Sequence, residues 1–218
     1  ADLKTISAGG AYGMAAITAL TAQNTREVRA VALVDPDMVA TQIAAIRDDI
    51  RINAVKIGML GSATIIEAVA KALSGLTAPV VLDPVMVAKG GDRLLAADAV
   101  TALRDALVPL ASVITPNLPE AADLLGTDMA TDRSGMEAQA RTLLALGASA
   151  VLMKGGHLDG EDSPDLLQTR YCSHWFEGNR HATRNTHGTG CTLSSAVATQ
   201  LGHGLPLPEA VARAKSYI

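Results

Sequence analysis

Short apolar runs alternate with amphipathic stretches along most of the chain, and this alternation constrains the fold more than any other feature. Such runs are typical of strands buried on both faces, and the amphipathic stretches are typical of helices that cover them. Strands are predicted at residues 15–21, 54–59, 79–85, 112–115 and 150–154, with a hairpin or edge addition at 166–170 and 171–177. Helices are predicted at residues 36–49, 63–73, 96–107, 134–146, 191–201 and 208–218. The pattern predicts an α/β fold with a mainly parallel central sheet and helices on both faces.

The composition favours one folded domain over residues 1–218 and excludes several functions. Of the 218 residues, 49% are hydrophobic, which is enough for one well-buried core. The 18 Lys and Arg against 22 Asp and Glu give a net charge of −4 without a basic cluster, so nucleic-acid binding is not expected. The longest uncharged stretch, residues 5–25, is broken by polar and glycine residues, so no membrane span is expected. The two cysteines have no metal-ligand spacing, and a reducing, cytoplasmic compartment is expected.

Polar residues follow five of the predicted strands at their carboxyl ends. The segments are residues 21–24, 58–59, 83–86, 115–120 and 154–157. Ligands of open α/β sheets bind beyond the carboxyl ends of the strands, so these segments are candidates for one shared site. Each can also be a plain turn, because Asn, Asp, Gly and Pro favour turns whatever their function.

The sharpest local signal lies at residues 185–196, where Gly188 and Gly190 flank one threonine directly ahead of a helix rich in small residues. Such a bend aims N–H groups at one point, and the helix dipole adds to their field. The segment therefore predicts an anion site suited to phosphoryl transfer, although it is not a Walker A loop. Cys191 lies in the first helical turn, where we expect a lowered thiol pKa and a thiolate that accepts a proton from an alcohol. The alternative is a cysteine that only packs.

Four polar residues of these segments have both a functional and a structural interpretation. Asn117 and Glu120 are three apart across a turn that contains proline, a spacing that suits phosphate-bound Mg²⁺ and equally a helix capping box. Lys154 can reach a nucleotide phosphate or lie in a surface turn, and His187 can bind phosphate or donate to a backbone carbonyl. The residues alone leave these alternatives open.

Five segments follow one another in an order and spacing that resemble one enzyme family. They are residues 56–60 (KIGML), 82–86 (LDPVM), 115–121 (TPNLPEA), 153–157 (MKGGH) and 185–192 (NTHGTGCT). The chain resembles the hydroxymethylpyrimidine/phosphomethylpyrimidine kinases of thiamine biosynthesis, members of the ribokinase-like superfamily, over essentially all of its length. The most discriminating piece is the G-T-G-C turn, because sugar kinases of the superfamily carry Asp where this chain has Cys191.

The resemblance implies a ribokinase-like fold and ATP-dependent, Mg²⁺-assisted phosphorylation of an aminopyrimidine alcohol and then of its monophosphate. By this resemblance, the residues that bind the aminopyrimidine are Gln23, Met59, Val85 and Met86. The implied anion hole consists of Gly188, Thr189, Gly190 and Cys191, with Cys191 as base. The implied residues around Mg²⁺ and the phosphates are Asp83, Asn117 and Glu120, and those in contact with the nucleotide are Lys154, Thr186, His187 and Lys215. Residues 89–92 resemble the mobile flap of the family, and an ordinary surface loop is the alternative. The resemblance also suggests a homodimer.

The chain departs from the family pattern at its start. Family members begin with a strand and a loop of the type G-x-D-x-x-G-G-A-G, and we expect that segment to precede Ala1. Two other functions stay open: a pyridoxal kinase, because relatives with the same cysteine turn accept that ring, and a pyrimidine-binding sensor without turnover. Comparing kcat/KM for the two alcohols separates the kinases, and binding without a phosphorylated product would identify the sensor.

Overall fold

A six-stranded sheet forms the centre of the computed structural model, which describes residues 1–24, 27–86, 97–180, 182–183 and 186–218. The strands are β1 (Ala19–Gln23), β2 (Val28–Leu33), β3 (Val55–Ile57), β4 (Val80–Leu82), β5 (Val113–Ile114), β6 (Ala150–Lys154), β7 (Asp165–Thr169) and β8 (Ser173–Phe176). The central sheet has the order β3-β4-β5-β6-β7-β8. Strands β3 to β6 are parallel, and β7 and β8 extend the sheet antiparallel at one edge. The predicted parallel sheet and its added hairpin are both confirmed.

The α-helices of the described residues are α1 (Asp2–Ala8), α2 (Pro36–Asp49), α3 (Ala63–Leu73), α4 (Ala97–Ala102), α5 (Leu118–Leu125), α6 (Arg133–Ala145), α7 (Thr189–Gly202) and α8 (Leu207–Tyr217). Six of them overlap predicted helices, whereas α1 was not predicted and α5 was anticipated only through its capping box. Local caps explain where several begin: the Asp35 side chain accepts N–H groups at the start of α2, and Ser62 accepts the Ile65 N–H at the start of α3. Within the described parts of the chain, no helix has the length and hydropathy needed to cross a bilayer.

Helices cover both faces of the sheet because side chains along each strand alternate between the faces. In β6, Val151 and Met153 point into one buried cluster, and Ala150 and Leu152 point into another. The first cluster includes apolar residues of α2 to α6, and the second includes those of α7 and α8. The predicted two-sided arrangement is thus confirmed, and α7 lies directly against the sheet that carries the polar strand ends.

The strand predicted at residues 15–21 is wrong in its bounds and its sheet. The structure has β1 at Ala19–Gln23, paired antiparallel with β2 in a separate two-stranded ribbon. The ribbon is largely exposed on both faces, so its apolar residues do not enter the core as those of the central strands do. It is tied to the end of β3 by the Thr18 hydroxyl, which donates to the Met59 carbonyl at 2.8 Å.

Candidate active site

The predicted polar segments meet at the carboxyl ends of the parallel strands, opposite the start of α7. Asp83 follows β4, Asn117 follows β5, and Lys154 ends β6. Asn117 and Lys154 form a parallel bridge, and the Lys154 N–H donates to the Pro116 carbonyl at 2.8 Å. Together with Met59 and Cys191, these residues line one continuous cleft.

Asp83 is the centre of the polar cluster. Its side chain is 2% exposed, and it accepts hydrogen bonds from the Lys154 ammonium at 3.0 Å and the Thr115 hydroxyl at 3.2 Å. The Ser194 hydroxyl of α7 donates to its other oxygen at 3.1 Å. Burial opposes ionisation of Asp83, but Lys154 and Lys56 together hold its pKa below the usual range. Asp83 is therefore a buried carboxylate that joins β4, β6 and α7.

Lys154 lies between two carboxylates and directly beneath the glycine bend. Its Nζ is 3.0 Å from Asp83 Oδ1 and 3.7 Å from Glu120 Oε2. Burial disfavours its charge, yet the two carboxylates raise its pKa above the ordinary value. A Cβ placed on Gly190 would lie 3.3 Å from the Lys154 Nζ, so the ammonium lies close to the bend. The surface-turn alternative for Lys154 is wrong, because the cluster buries its side chain to 14% exposure.

Glu120 caps the start of α5, and its carboxyl also lies close to a charged lysine. The Asn117 N–H donates to Glu120 Oε2 at 2.8 Å, and the Glu120 N–H donates to Asn117 Oδ1 at 2.8 Å, which confirms the capping box at the start of α5. The same carboxyl faces Lys154. Burial and the nearby Asp83 raise the pKa of Glu120 to about 7 against the opposing effect of Lys154. Glu120 thus changes charge close to neutral pH.

The bend ahead of α7 leaves backbone donors open to the cleft. Gly188 has a φ of 82°, a left-handed conformation that favours glycine, and its carbonyl accepts the Thr192 N–H at 2.9 Å. Among the described residues, no side chain caps the start of α7. The first helical turn has no intrahelical acceptors for its N–H groups, so those of Gly190 and Cys191 are placed to bind an anion.

The predicted lowering of the Cys191 thiol pKa is wrong. Burial and the nearby carboxylates of Asp83 and Asp2 raise the pKa above the ordinary thiol value, and Lys56 and Lys154 only partly oppose them. The position of Cys191 in the first turn of a helix, taken alone, predicts a lowered thiol pKa. At neutral pH the thiol form of Cys191 therefore predominates.

A second buried lysine, Lys56, and its contacts with α1 and α7 were not predicted from the sequence. Lys56 lies in β3 with its side chain 5% exposed, and its Nζ is 2.9 Å from Asp2 Oδ2. The other oxygen of Asp2 accepts the Ser195 hydroxyl of α7 at 3.0 Å. A lysine in the middle of a short apolar strand was the available signal, because such a position is normally apolar.

The residues predicted to bind the aminopyrimidine lie along the same cleft. Gln23 is exposed at the end of β1, and Met59 and Val85 are half-buried. Met86 is fully buried and packs in the larger core cluster. Any contact from Met86 to a ligand is therefore at the floor of the cleft.

The residues predicted on the nucleotide side divide into two groups. Thr186 and His187 are exposed in the bend. Lys215 instead reaches from α8 to Asp165 Oδ2 at 2.6 Å and to the Ser163 carbonyl at 2.9 Å. The other oxygen of Asp165 accepts the Gly155 N–H at 3.0 Å, so the pair fixes the turn beside Lys154. The flap predicted at residues 89–92 lies outside the described residues.

Gly155 provides a test of how tightly this turn is packed. A Cβ at Gly155 would lie 1.9 Å from the Pro164 carbonyl oxygen, whereas one at Gly156 has its nearest neighbour, Ser163 Oγ, at 3.6 Å. We expect Gly155→Ala to reduce the free energy of unfolding by at least about 2 kcal/mol, because the backbone must move. Chemical denaturation measures this, with Gly156→Ala as the matched control. Equal stability of the two variants would contradict the packing described.

Comparison with known proteins yields consistent matches over the whole chain. The model of a family described as phosphomethylpyrimidine kinase matches residues 1–218. A hydroxymethylpyrimidine/phosphomethylpyrimidine kinase from Escherichia coli is 52% identical over 219 residues, which cover 100% of this chain and 82% of that protein. The crystal structure of a phosphomethylpyrimidine kinase from Clostridium difficile superposes with a TM-score of 0.88 at 42% identity, covering 100% of this chain and 89% of that one. An ADP complex of Bacillus subtilis pyridoxal kinase has a TM-score of 0.91 at 39% identity, covering 100% and 83%.

Proposed function

Because the chain belongs to the phosphomethylpyrimidine kinase family, a ribokinase-like family of thiamine biosynthesis, we propose that it phosphorylates 4-amino-5-hydroxymethyl-2-methylpyrimidine and then its monophosphate. The reaction is a phosphotransfer that consumes ATP. The observation that carries the proposed mechanism is the Lys154 ammonium, held by Asp83 directly beneath the Gly190 backbone. This arrangement places an ammonium and the N–H groups of the bend where a phosphoryl group would pass between donor and acceptor.

In the proposed reaction, the substrate oxygen attacks the γ-phosphorus as the bond from that phosphorus to the ADP oxygen breaks. The N–H groups of Gly190 and Cys191, the positive end of α7 and Lys154 stabilise the charge spread over the migrating group. The Cys191 thiolate accepts the alcohol proton in the first phosphorylation. Because the thiol pKa is raised, only a minor fraction of Cys191 is thiolate at neutral pH, and this fraction grows as the pH increases.

Magnesium fits the site as an ion carried by the nucleotide phosphates. Among the described residues, no group of three or more acidic, His or Cys side chains could hold a metal ion. The carboxylates of Asp83 and Glu120 are of the type that Mg²⁺ prefers, and Lys154 lies between them. We propose that these two carboxylates, with the Asn117 amide, would hold the waters around Mg²⁺, and that the ion would neutralise phosphate charge.

Glu120 should make the magnesium requirement depend on pH. Its pKa of about 7 means that it is increasingly protonated below pH 7, and a protonated carboxyl binds cations poorly. We expect the Mg²⁺ concentration for half-maximal activity to increase as the pH falls from 8 to 6. In Glu120→Gln it should be higher throughout and lose this pH dependence. Metal titrations at several pH values measure both effects.

The matched control is Glu67→Gln, which changes an exposed glutamate of α3. It should retain both the magnesium requirement and the pH dependence of the unmodified chain. An unaltered titration in Glu120→Gln would remove Glu120 from metal organisation.

The aminopyrimidine would bind on the β1 and β3 side of the bend. The Gln23 amide can donate to and accept from the ring edge, and the polarisable sulfur atoms of Met59 and Met86 suit a flat ring in a chain with 2% aromatic residues. Val85 would complete the apolar wall.

Mass spectrometry after incubation with ATP, Mg²⁺ and the hydroxymethylpyrimidine tests the function, because it reports zero, one or two added phosphoryl groups. Binding without any phosphorylated product would favour the sensor function.

Pyridoxal phosphorylation is the second candidate, favoured by the likeness to the Bacillus subtilis pyridoxal kinase structure. The identity to pyrimidine kinases is higher, so we expect the pyrimidine alcohol to have the larger kcat/KM. A strong preference for pyridoxal would reverse this assignment.

A homodimer and a cytoplasmic location complete the proposal. The β1–β2 ribbon exposes Leu20, Val31 and Leu33 at 64%, 42% and 50%, and an isolated two-stranded ribbon is marginally stable. Burial of these residues against a second copy would stabilise the ribbon, and light scattering would report the mass of the assembly.

The unpaired state of Cys172 and Cys191 is consistent with a reducing compartment.

A further inference from the structure

A loop after β6 is wrapped around the side chain of Arg180. The Arg180 Nε donates to the Gly160 carbonyl at 3.0 Å, and Nη1 donates to the Gly156 carbonyl at 2.9 Å. Its Nη2 donates to the carbonyls of Leu158 and, at 3.4 Å, Asp162. One guanidinium thus joins four backbone carbonyls of residues 156–162, which we call the β6–β7 loop.

The backbone on either side of Arg180 makes further contacts with the end of this loop. The Arg180 N–H donates to the Glu161 carbonyl at 2.7 Å, and the Ser163 N–H donates to the Gly178 carbonyl at 2.7 Å. Asp162 and Asn179 form an antiparallel bridge. The planar, rigid fork of a guanidinium fixes the directions of several acceptors at once, which a flexible ammonium does not. Arg180 therefore holds the shape of a loop in which Leu158 packs against the core and the other residues of 156–162 are exposed.

The position of this clamp relates it to the proposed phosphate site. The β6–β7 loop begins two residues after Lys154, and the segment that starts at Arg180 leads to Gly188. Arg180 thus joins the loop that follows Lys154 to a second part of the chain, and Gly156, His157 and Arg180 line the same cleft as the bend. Asp165 holds the same turn from the interior through the Gly155 N–H, so the loop is fixed from both sides.

We propose that Arg180 is a positioning residue for the nucleotide and holds the β6–β7 loop in the shape that receives ATP. The proposal rests on the function proposed above. Four N–H groups of the guanidinium already donate to the loop, so Arg180 acts through the loop and not by direct contact with the phosphates. Without Arg180 the loop samples several conformations, and nucleotide binding must order it. That cost lowers nucleotide affinity and leaves the transfer step itself nearly unchanged.

Steady-state kinetics of Arg180→Gln test the proposal. We expect KM for ATP to increase about tenfold, with kcat and KM for the pyrimidine within about twofold of the unmodified chain. Arg180→Lys should recover part of the ATP affinity, because an ammonium can satisfy some of the carbonyls. The matched control is Arg170→Gln, which changes an exposed arginine just after β7. The last residue of β7 pairs with Ala150 at the start of β6, so Arg170 lies at the end of the strands away from Lys154. It should leave all constants unchanged.

Two binding measurements separate this proposal from the proposed function. Calorimetric titration with ADP should show about tenfold weaker binding in Arg180→Gln, whether or not the chain transfers phosphate. Hydrogen exchange should show the N–H groups of Leu158 and Ser163, which donate to the Gly155 and Gly178 carbonyls, protected without nucleotide in the unmodified chain but protected only with ADP in the variant. Unchanged ADP affinity, or a fall in kcat at unchanged KM for ATP, would overturn the proposal. If Arg180→Gln does not fold, the same measurements on Arg180→Lys decide between these outcomes.

Discussion

Lys154→Met is expected to reduce kcat by about 10³-fold, because it removes the cation beneath the Gly190 backbone. It also leaves the buried carboxylates of Asp83 and Glu120 without their shared counter-ion. Removal of one partner of a buried ion pair costs about 3–5 kcal/mol of the free energy of unfolding. Activity assays and chemical denaturation measure the two losses separately.

The stability loss in Lys154→Met should depend on pH in a definite direction. Without Lys154, burial and mutual repulsion raise the pKa of both carboxyls in the folded state above their unfolded values. The folded state then binds more protons than the unfolded state, so its stability falls as the pH rises through that window. The difference from the unmodified chain should therefore be larger at pH 8 than at pH 5.

The double variant Asp83→Asn with Lys154→Met separates stability from catalysis. It removes the unpaired Asp83 charge and should recover part of the lost free energy of unfolding. Its kcat should remain as low as that of the single variant, since the cation is still absent. Normal turnover in either variant would contradict the assigned position of the migrating phosphoryl group.

Cys191→Ala is expected to lower kcat for the alcohol by about 10²- to 10⁴-fold, because the transfer loses its proton acceptor. The backbone N–H groups of the bend remain, so KM for ATP should stay within about twofold. In the unmodified chain kcat should increase with pH above neutrality, since the raised thiol pKa makes thiolate the minor form there. The variant should lose that increase. Kinetics across pH 6 to 10 measure both effects.

Cys172→Ala is the matched control for the change at Cys191. Cys172 is exposed and follows β7, where its sulfur lies 3.3 Å from the Thr169 hydroxyl oxygen. Its removal should leave the rate and the pH profile unchanged. A Cys191→Ala variant with an unaltered rate, or with the same pH slope, would exclude Cys191 as the base.

Periodicity was sufficient to predict the central sheet but not the ribbon. Buried strands such as β4 and β6 read as continuous apolar runs, so their positions followed from the sequence. β2 alternates apolar residues with Arg29 and small residues and remains exposed, so no core pattern marks it. α1 is short and is followed by Gly9 and Gly10, so its sequence shows no clear helical periodicity.

The electrostatics of the site could be predicted only in part. Asp83, Asn117, Glu120 and Lys154 were candidates because they lie at strand ends in the sequence, and the glycine bend was a candidate because it directly precedes a helix. The sign of the Cys191 pKa shift was wrong, because it depends on burial and on Asp2, which α1 brings to α7 from the other end of the chain. Pairing of Lys56 with Asp2 likewise depends on tertiary contact, which no local spacing reveals.

A crystal structure with a non-hydrolysable ATP analogue and the hydroxymethylpyrimidine would show whether phosphoryl transfer takes place at the Gly190 bend. We expect the γ-phosphorus within about 4 Å of the Gly190 and Cys191 nitrogens, with a phosphate oxygen at hydrogen-bond distance from the Lys154 Nζ. The pyrimidine hydroxyl should lie between that phosphorus and the Cys191 sulfur. A γ-phosphate bound away from the bend, with Lys154 still enclosed by its two carboxylates, would contradict the account.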